Sequence, residues 1–198
     1  DMRHFGKYLR KSKNKFEAGI RKVCPNLDDA TVNTLVKEQL ERELSSGVQT
    51  IQYQINTLFT SNGQAPFVTL FLYLDPNDEY IEENAMIIEE ILKQRLQGIK
   101  NECGVYVTPA FPKLIYVLTP DNNLSGGKYD YLTELAAKCT AKRMYPDYVS
   151  EKIMKQNQDG NVYSYMGCRS LLPVWKDETG KPKFEGRFNQ GVVSINLP

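Results

Sequence analysis

The longest periodic signal in the chain is apolar: Val32, Leu35, Val36, Leu40, Leu44, Val48, Ile51, Ile55, Leu58 and Phe59 recur at three- and four-residue steps. This spacing predicts a helix from about residue 30 to 62. Asp28 or Asp29 is placed to cap its start, and Gly63 to end it in a left-handed turn. At 1.5 Å per residue such a helix is roughly 48 Å long. That exceeds what a small domain needs, so the span 28–63 is expected to lie along a bundle or a subunit interface, with Gly47 as a point of bending.

The pattern then changes. Phe67-Val68-Thr69-Leu70-Phe71-Leu72-Tyr73-Leu74 is almost continuously apolar, the mark of a strand buried on both faces of a parallel sheet. Ile81, Ala85, Ile88, Leu92, Leu96 and Ile99 predict a second amphipathic helix that stops near Gly104. Leu114–Leu118 predicts a second strand. A third helix is expected from about Tyr129 to Met144, with Leu132, Leu135, Ala136 and Cys139 on one face and Pro146 as its stop. Strand, helix, strand, helix is the order of an α/β sheet or barrel.

From residue 160 onward the periodicity is lost. Gly160, Gly167, Pro173, Gly180, Pro182 and Gly186 punctuate a stretch that still carries Tyr163, Tyr165, Met166, Leu171, Leu172, Trp175 and Phe184. A long irregular segment of that composition reads as a loop inserted into protein, with a functional purpose. The chain starts at Asp1 and stops in the strand-like run Gly191–Pro198. A buried strand is seldom the last element of a domain, so an internal piece of a longer protein is expected, forming one partial domain over 1–198.

Composition narrows the function classes. The 198 residues are 41% hydrophobic and 25% charged, with 25 Lys+Arg against 24 Asp+Glu, so total charge names no partner. Residues 1–23 are locally basic, and are read as a solvated helix face balanced by acidic neighbours. No apolar run reaches the ~20 residues of a membrane span. The only histidine is His4, and Cys24, Cys103, Cys139 and Cys168 are scattered without a C-x-x-C pair. An internal metal site, a disulfide framework and a histidine-based nucleophile are all disfavoured, and a reducing, cytoplasmic setting is expected.

Three motifs reduce to structure. Leu124-Ser125-Gly126-Gly127-Lys128 resembles an ATPase signature, yet no phosphate-binding G-x-x-x-x-G-K-[ST] accompanies it, so it reads as a turn. The sequon at Asn123 is irrelevant in a cytoplasmic chain. Glu82, Glu83, Glu89 and Glu90 read as the solvated face of the second helix. Cys139 reads as core, while Cys24 and Cys103 default to packing.

Met166-Gly167-Cys168-Arg169-Ser170 is different. A lone cysteine is ordinarily a small buried hydrophobe. Here Gly167 lets the backbone approach another surface closely, and the cysteine sits in irregular structure, where chemical groups concentrate. No histidine is available to make a thiolate. If Cys168 is catalytic, its chemistry needs no base, and hydrogen-atom transfer by a thiyl radical meets that condition, the radical being supplied from elsewhere.

At these residues the sequence resembles the anaerobic, class III ribonucleotide reductases of the glycyl radical enzyme superfamily. The resemblance runs in order through GVQTIQYQINTL (47–58), GQAPF (63–67), YDYLTELAAKCTAKRMYPDY (129–148), MGCRS (166–170) and GRFNQGVVSINLP (186–198). It implies a ten-stranded α/β barrel of two five-stranded parallel halves, helices outside and a finger loop inside. The loop corresponds to roughly 160–186, with Cys168 at its tip as the thiyl residue that abstracts the ribose 3′ hydrogen. Asn189, in GRFN, corresponds to an asparagine beside the substrate; a strand-entry cap is the alternative reading of the same residue.

The resemblance also implies what lies outside this chain: a C-terminal glycyl radical made by a separate iron–sulfur/S-adenosylmethionine activase, a zinc site near that end, a second active-site cysteine upstream, and an N-terminal ATP-binding regulatory domain. Implied partners are ribonucleoside triphosphates, ATP and dNTP effectors, the activase and a second subunit in a homodimer, with no direct DNA binding. The isolated piece is expected to be inactive. Its alternative is a dimer-interface and effector-binding module built on the long helix. A pyruvate formate-lyase type enzyme ranks lower, because that group places two neighbouring cysteines at the tip and here Arg169 follows Cys168.

Overall fold

A computed structural model describes residues 1–59, 63, 66–165, 173–183, 186 and 195–196. Cys168 and Asn189 lie outside the described residues, as do all of 166–170, most of 186–198 and residues 64 and 65 of the segment 63–67.

A single 3-10 turn, Met2–His4, capped by the Asp1 carboxylate, leads into α1 (Gly6–Val23). The long helix is α2, Asp29–Thr57, and Asp28 is its cap: the carboxylate accepts from the Thr31 N–H at 3.1 Å. It ends at Thr57, short of residue 62. Asn56 and Thr57 turn their side chains back onto the carbonyls of Gln52 and Tyr53, both at 2.7 Å, and Leu58 is extended. Such local bonds compete with helix propagation. α1, α2 and α3 (Ile81–Gln97) pack on one another, and Leu9, Val32, Val36, Leu40, Ile88 and Leu92 are buried among them.

β1 (Thr69–Leu72), β4 (Lys113–Leu118) and β5 (Asp147–Ser150) form a parallel sheet in the order β1-β4-β5, with Thr69 opposite Lys113 and Ile115 opposite Asp147. Between α3 and β4 a short antiparallel hairpin joins β2 (Ile99–Lys100) to β3 (Tyr106–Val107). One turn of helix, α4 (Pro120–Asn123), then α5 (Asp130–Arg143) follow β4, and α6 (Glu151–Asn157) follows β5. The parallel arrangement matches the apolar run that β1 occupies. α5 ends as expected, with Met144 in the left-handed region.

Strand alternation gives the sheet two distinct faces. Leu72, Leu74, Leu114 and Tyr116 join the cluster formed with α2, α3 and α5. Phe71, Tyr73, Ile115 and Val117 point the other way and form a second cluster with Met154 of α6, against which Val149, Val162 and Tyr165 pack. Helices α2, α3 and α5 therefore cover one face, and α6 contributes Met154 to the other. That other face also receives the irregular chain of residues 161–165 that runs out of α6.

Three expectations are corrected. α3 does not reach Gly104: it stops at Gln97, because Gly98 takes φ +88° and a Cβ there would lie 2.6 Å from the Val107 carbonyl oxygen. Arg143 caps that end, donating to the carbonyls of Leu96 (3.0 Å) and Gln97. Ile99 thus belongs to the hairpin. Second, β5 and α6 occupy a stretch without predicted elements; four residues of mixed polarity and a seven-residue helix carry too little periodicity to register. Third, Glu83 is not solvated: it is 6% exposed and bound by Arg10 across the α1–α3 contact.

The basic start of the chain is balanced as expected. Arg3 pairs with Asp1 and Asp75, Arg10 with Glu79 and Glu83, and Arg21 with Glu17 and Asp29. The 124–128 segment is a turn, where Gly127 packs so closely on the Asp121 carbonyl that a Cβ would sit 2.3 Å from its oxygen.

Candidate functional site

Parallel strands present their carboxyl ends at one edge of a sheet, and ligand sites of α/β proteins gather there. Here that edge collects Tyr73 just after β1, Asn122 just after β4 and Glu151 just after β5. Tyr73 lies on the face opposite α2, α3 and α5, in the cluster that includes Met154 of α6. Its hydroxyl donates to Glu151 Oε1 at 2.6 Å, and Lys155, one turn further along α6, donates to the same oxygen at 2.8 Å. Tyr73 is 2% exposed and Glu151 7%. A buried carboxylate is tolerated only when paired, so phenol and ammonium together hold it. Burial pushes the Tyr73 phenol far above its ordinary range, and the Glu151 hydrogen bond adds to the rise; the phenol remains a donor.

Arg3 closes this group from the other side. Its guanidinium lies 4.9 Å from the centre of the Tyr73 ring, pairs with Asp75 at 3.5 Å and makes a long hydrogen bond, 3.4 Å, to the carbonyl of Val162. At the middle strand, Asn122 accepts from the Thr119 N–H at 2.8 Å and donates to the Val117 carbonyl at 2.9 Å, fixing the turn out of β4.

The chain leaving α6 is shaped by a tight turn. Asp159 and Gly160 take positive φ, and the Gly160 N–H returns to the Lys155 carbonyl at 2.8 Å. Gln158 is buried at 1% exposure, and among the described residues neither polar atom of its side-chain amide has a hydrogen-bond partner. Burying an amide unpaired costs roughly 1–3 kcal/mol, which sets it apart from the satisfied polar groups around it. From this turn the segment passes Tyr163, itself buried, to Tyr165 on the Phe71–Tyr73–Ile115–Val117–Met154 patch. Residue 165 is one position before the MGCRS motif.

The described cysteines divide clearly. Cys139 is fully buried in α5, the core role read from its position, and burial pushes its thiol up. Cys24 and Cys103 are exposed, contrary to the packing expected of them; each sits at the end of an element, Cys24 closing α1 and Cys103 in the β2–β3 turn, where no core is in reach. Among the described residues no group of three or more His, Cys, Asp or Glu side chains could hold a metal ion. No helix among them is long and apolar enough to cross a membrane.

No sequence pattern marks Tyr73, Glu151 and Arg3 as a unit. They lie 148 positions apart from first to last (151 minus 3), and no local spacing links a tyrosine in an apolar run to a glutamate after an unforeseen strand.

The family model for anaerobic ribonucleoside-triphosphate reductase matches residues 2–198. The chain belongs to that family. It is 41% identical over 164 residues to the anaerobic ribonucleoside-triphosphate reductase of Enterobacteria phage T4, an alignment covering 82% of this chain and 26% of the phage protein. The protein of that name from Escherichia coli strain K12 is 39% identical over 160 residues, covering 79% of this chain and 21% of its own length. That from Haemophilus influenzae is 37% identical over 169 residues, with 84% and 22% covered. The chain thus spans about a quarter of the length of the curated relatives it matches. Within the family region, the second half of α2 carries residues 47–57 of the 47–58 motif, and α5 with the start of β5 carries most of residues 129–148.

Proposed function

We propose that this chain contributes the thiyl cysteine and the surrounding barrel wall of an oxygen-sensitive ribonucleoside-triphosphate reductase, an oxidoreductase that makes deoxyribonucleotides in the cytoplasm. Cys168 is the reactive sulfur and Asn189 a substrate contact. The observation that carries this reading is the sheet face turned away from α2, α3 and α5: Val162 and Tyr165, just before Met166-Gly167-Cys168 in the sequence, pack there on the cluster of Phe71, Tyr73, Ile115, Val117 and Met154. In a barrel with helices outside, that side is the interior.

The parent fold under this reading is the ten-stranded barrel, with β1, β4 and β5 as three of its strands, the span 28–63 at a subunit interface and the finger loop over 160–186. In the reaction the Cys168 thiyl takes the ribose 3′ hydrogen atom and becomes a thiol. The C2′ hydroxyl leaves as water, a two-electron reductant completes the conversion, and the hydrogen returns to C3′. The loop needs no basic neighbour for this step, only placement and exclusion of water, which agrees with a chain whose one histidine is His4. Partners in the full-length protein are ribonucleoside triphosphates, ATP and dNTP effectors, a radical-generating activase and a second subunit. The glycyl radical and the zinc belong to parts other than this chain.

Cys168→Ser in the full-length reductase tests the assignment. Deoxynucleotide formation is abolished while glycyl radical formation, read by electron paramagnetic resonance, is intact; retained product would refute it.

A further inference from the structure

We propose that Tyr73 and Glu151, with Arg3 stacked above the phenol ring, form a positioning device that sets where the chain leaves the sheet toward Cys168. This rests on the reading of Cys168 as the reactive sulfur.

The geometry carries the inference in three links. β1 and β5 are the outer strands of the three, separated by β4. Neighbouring strands lie about 4.8 Å apart, so the two are roughly 10 Å from one another. The Tyr73–Glu151 bond spans that gap on the face opposite α2, α3 and α5 and ties the carboxyl ends of the outer strands at a fixed separation. An O–H to carboxylate bond of 2.6 Å is of the short, charge-assisted kind. Both partners are more than nine-tenths buried, so breaking the bond would leave the phenol without its acceptor and the Glu151 carboxylate with Lys155 as its remaining side-chain partner among the described residues. The pair therefore has one stable arrangement.

The second link is Arg3. Its guanidinium is held by Asp1 and Asp75, rests on the Tyr73 ring, and reaches the Val162 carbonyl. The third is apolar: Val162 and Tyr165 pack against the patch that includes the Tyr73 ring itself. Tyr73 thus touches the bond that spaces the strands, the cation that holds the departing backbone and the surface that seats Tyr165. Cys168 follows three residues later. In a hydrogen-atom transfer the rate depends steeply on donor–acceptor placement, and an error near 1 Å costs about a hundredfold. A hydroxyl that only filled a core would be replaced by hydrogen without consequence for such a step.

The test uses the activated full-length reductase and a ribonucleoside triphosphate carrying deuterium at C3′. Tyr73→Phe keeps the ring and removes the bond. Expected are wild-type glycyl radical yield, KM changed by less than about twofold, kcat lowered roughly tenfold, and a deuterium effect on kcat larger than in wild type, because hydrogen abstraction has become limiting. Glu151→Gln, whose amide carbonyl still accepts from the phenol, retains most of the wild-type kcat, and Glu151→Leu behaves as Tyr73→Phe. Wild-type kcat and isotope effect in Tyr73→Phe would overturn the inference. So would a kcat falling only in proportion to radical yield, which is a folding defect, or an inactive Glu151→Gln at full radical yield, which would make charge the important property. Product formation by Cys168→Ser would instead remove the reading beneath it; an inactive Cys168→Ser beside an unaffected Tyr73→Phe would remove the positioning role alone.

Discussion

The Arg10 guanidinium holds the Glu83 carboxylate by two parallel hydrogen bonds, Nε to Oε1 at 2.6 Å and Nη2 to Oε2 at 2.7 Å. The pair pins α1 to α3, the helix that backs the sheet, and Arg10 also stacks on Tyr80 at 4.7 Å. Bidentate geometry with one buried partner separates it from exposed ion pairs such as Lys37–Glu41 and Lys138–Glu134, which contribute little.

This pair makes stability depend on acid. Burial pushes the Glu83 carboxyl up, but the Arg10 hydrogen bond and charge outweigh it and hold the group below its reference value of 4.5. A carboxyl lowered in the folded state contributes stability that is complete above 4.5 and is lost as pH falls through the folded value. Glu83→Gln should lower Tm at neutral pH by roughly 2–4 °C and flatten the acid limb of the stability curve. Thermal unfolding from neutral pH downward checks this; parallel acid limbs for the two proteins would contradict it.

Arg95 is the most buried charge among the described residues, 1% exposed. It donates to the carbonyls of Pro109, at 2.8 Å, and Pro112, and lies 5.0 Å from the Tyr145 ring centre. It thereby shapes the loop that delivers the chain into β4. Burial lowers its pKa. Arg95→Met keeps much of the volume but leaves two carbonyls unpaired, and should cost about 3 kcal/mol. Denaturant unfolding measures the loss. A change below about 1 kcal/mol would mean that the loop is held by other contacts.

The sequence reached the sheet and helices where one local pattern decided the outcome. β1 is a continuous apolar run, and α5 has a helical face with a proline beyond it, so both were legible. Glu83 was not, because its spacing is that of a solvated position and its partner, Arg10, is supplied by a helix 73 residues away. β5 and α6 were hidden for the opposite reason: Asp147-Tyr148-Val149-Ser150 takes its strand identity from pairing with β4, not from its own composition. Cys24 and Cys103 show how little a scattered cysteine says about burial. For the site, the motif around Cys168 was legible as chemistry, whereas the Tyr73–Glu151–Arg3 group exists only once the sheet brings three distant segments together.

Cysteine reactivity follows from the same geometry. Cys24 and Cys103 are exposed, while Cys139 is sealed in the core with its thiol pushed up. Brief alkylation of the native protein, mapped by peptide mass spectrometry, should label Cys24 and Cys103 and spare Cys139 until denaturant is added. Replacing both exposed cysteines by serine in the full-length reductase should leave turnover unchanged. Loss of turnover in that double variant, with the radical intact, would assign one of them a role in the chemistry.

The most direct measurement follows the ribose 3′ hydrogen itself. A ribonucleoside triphosphate with tritium at C3′ is incubated with activated full-length reductase, and label reaching water is counted. A sulfur that carries the hydrogen as a thiol exposes it to solvent exchange. The wild-type protein should therefore release a small, time-dependent fraction, and Cys168→Ser, at equal glycyl radical content, should release none. Release by Cys168→Ser at the wild-type rate would show that another group takes the hydrogen.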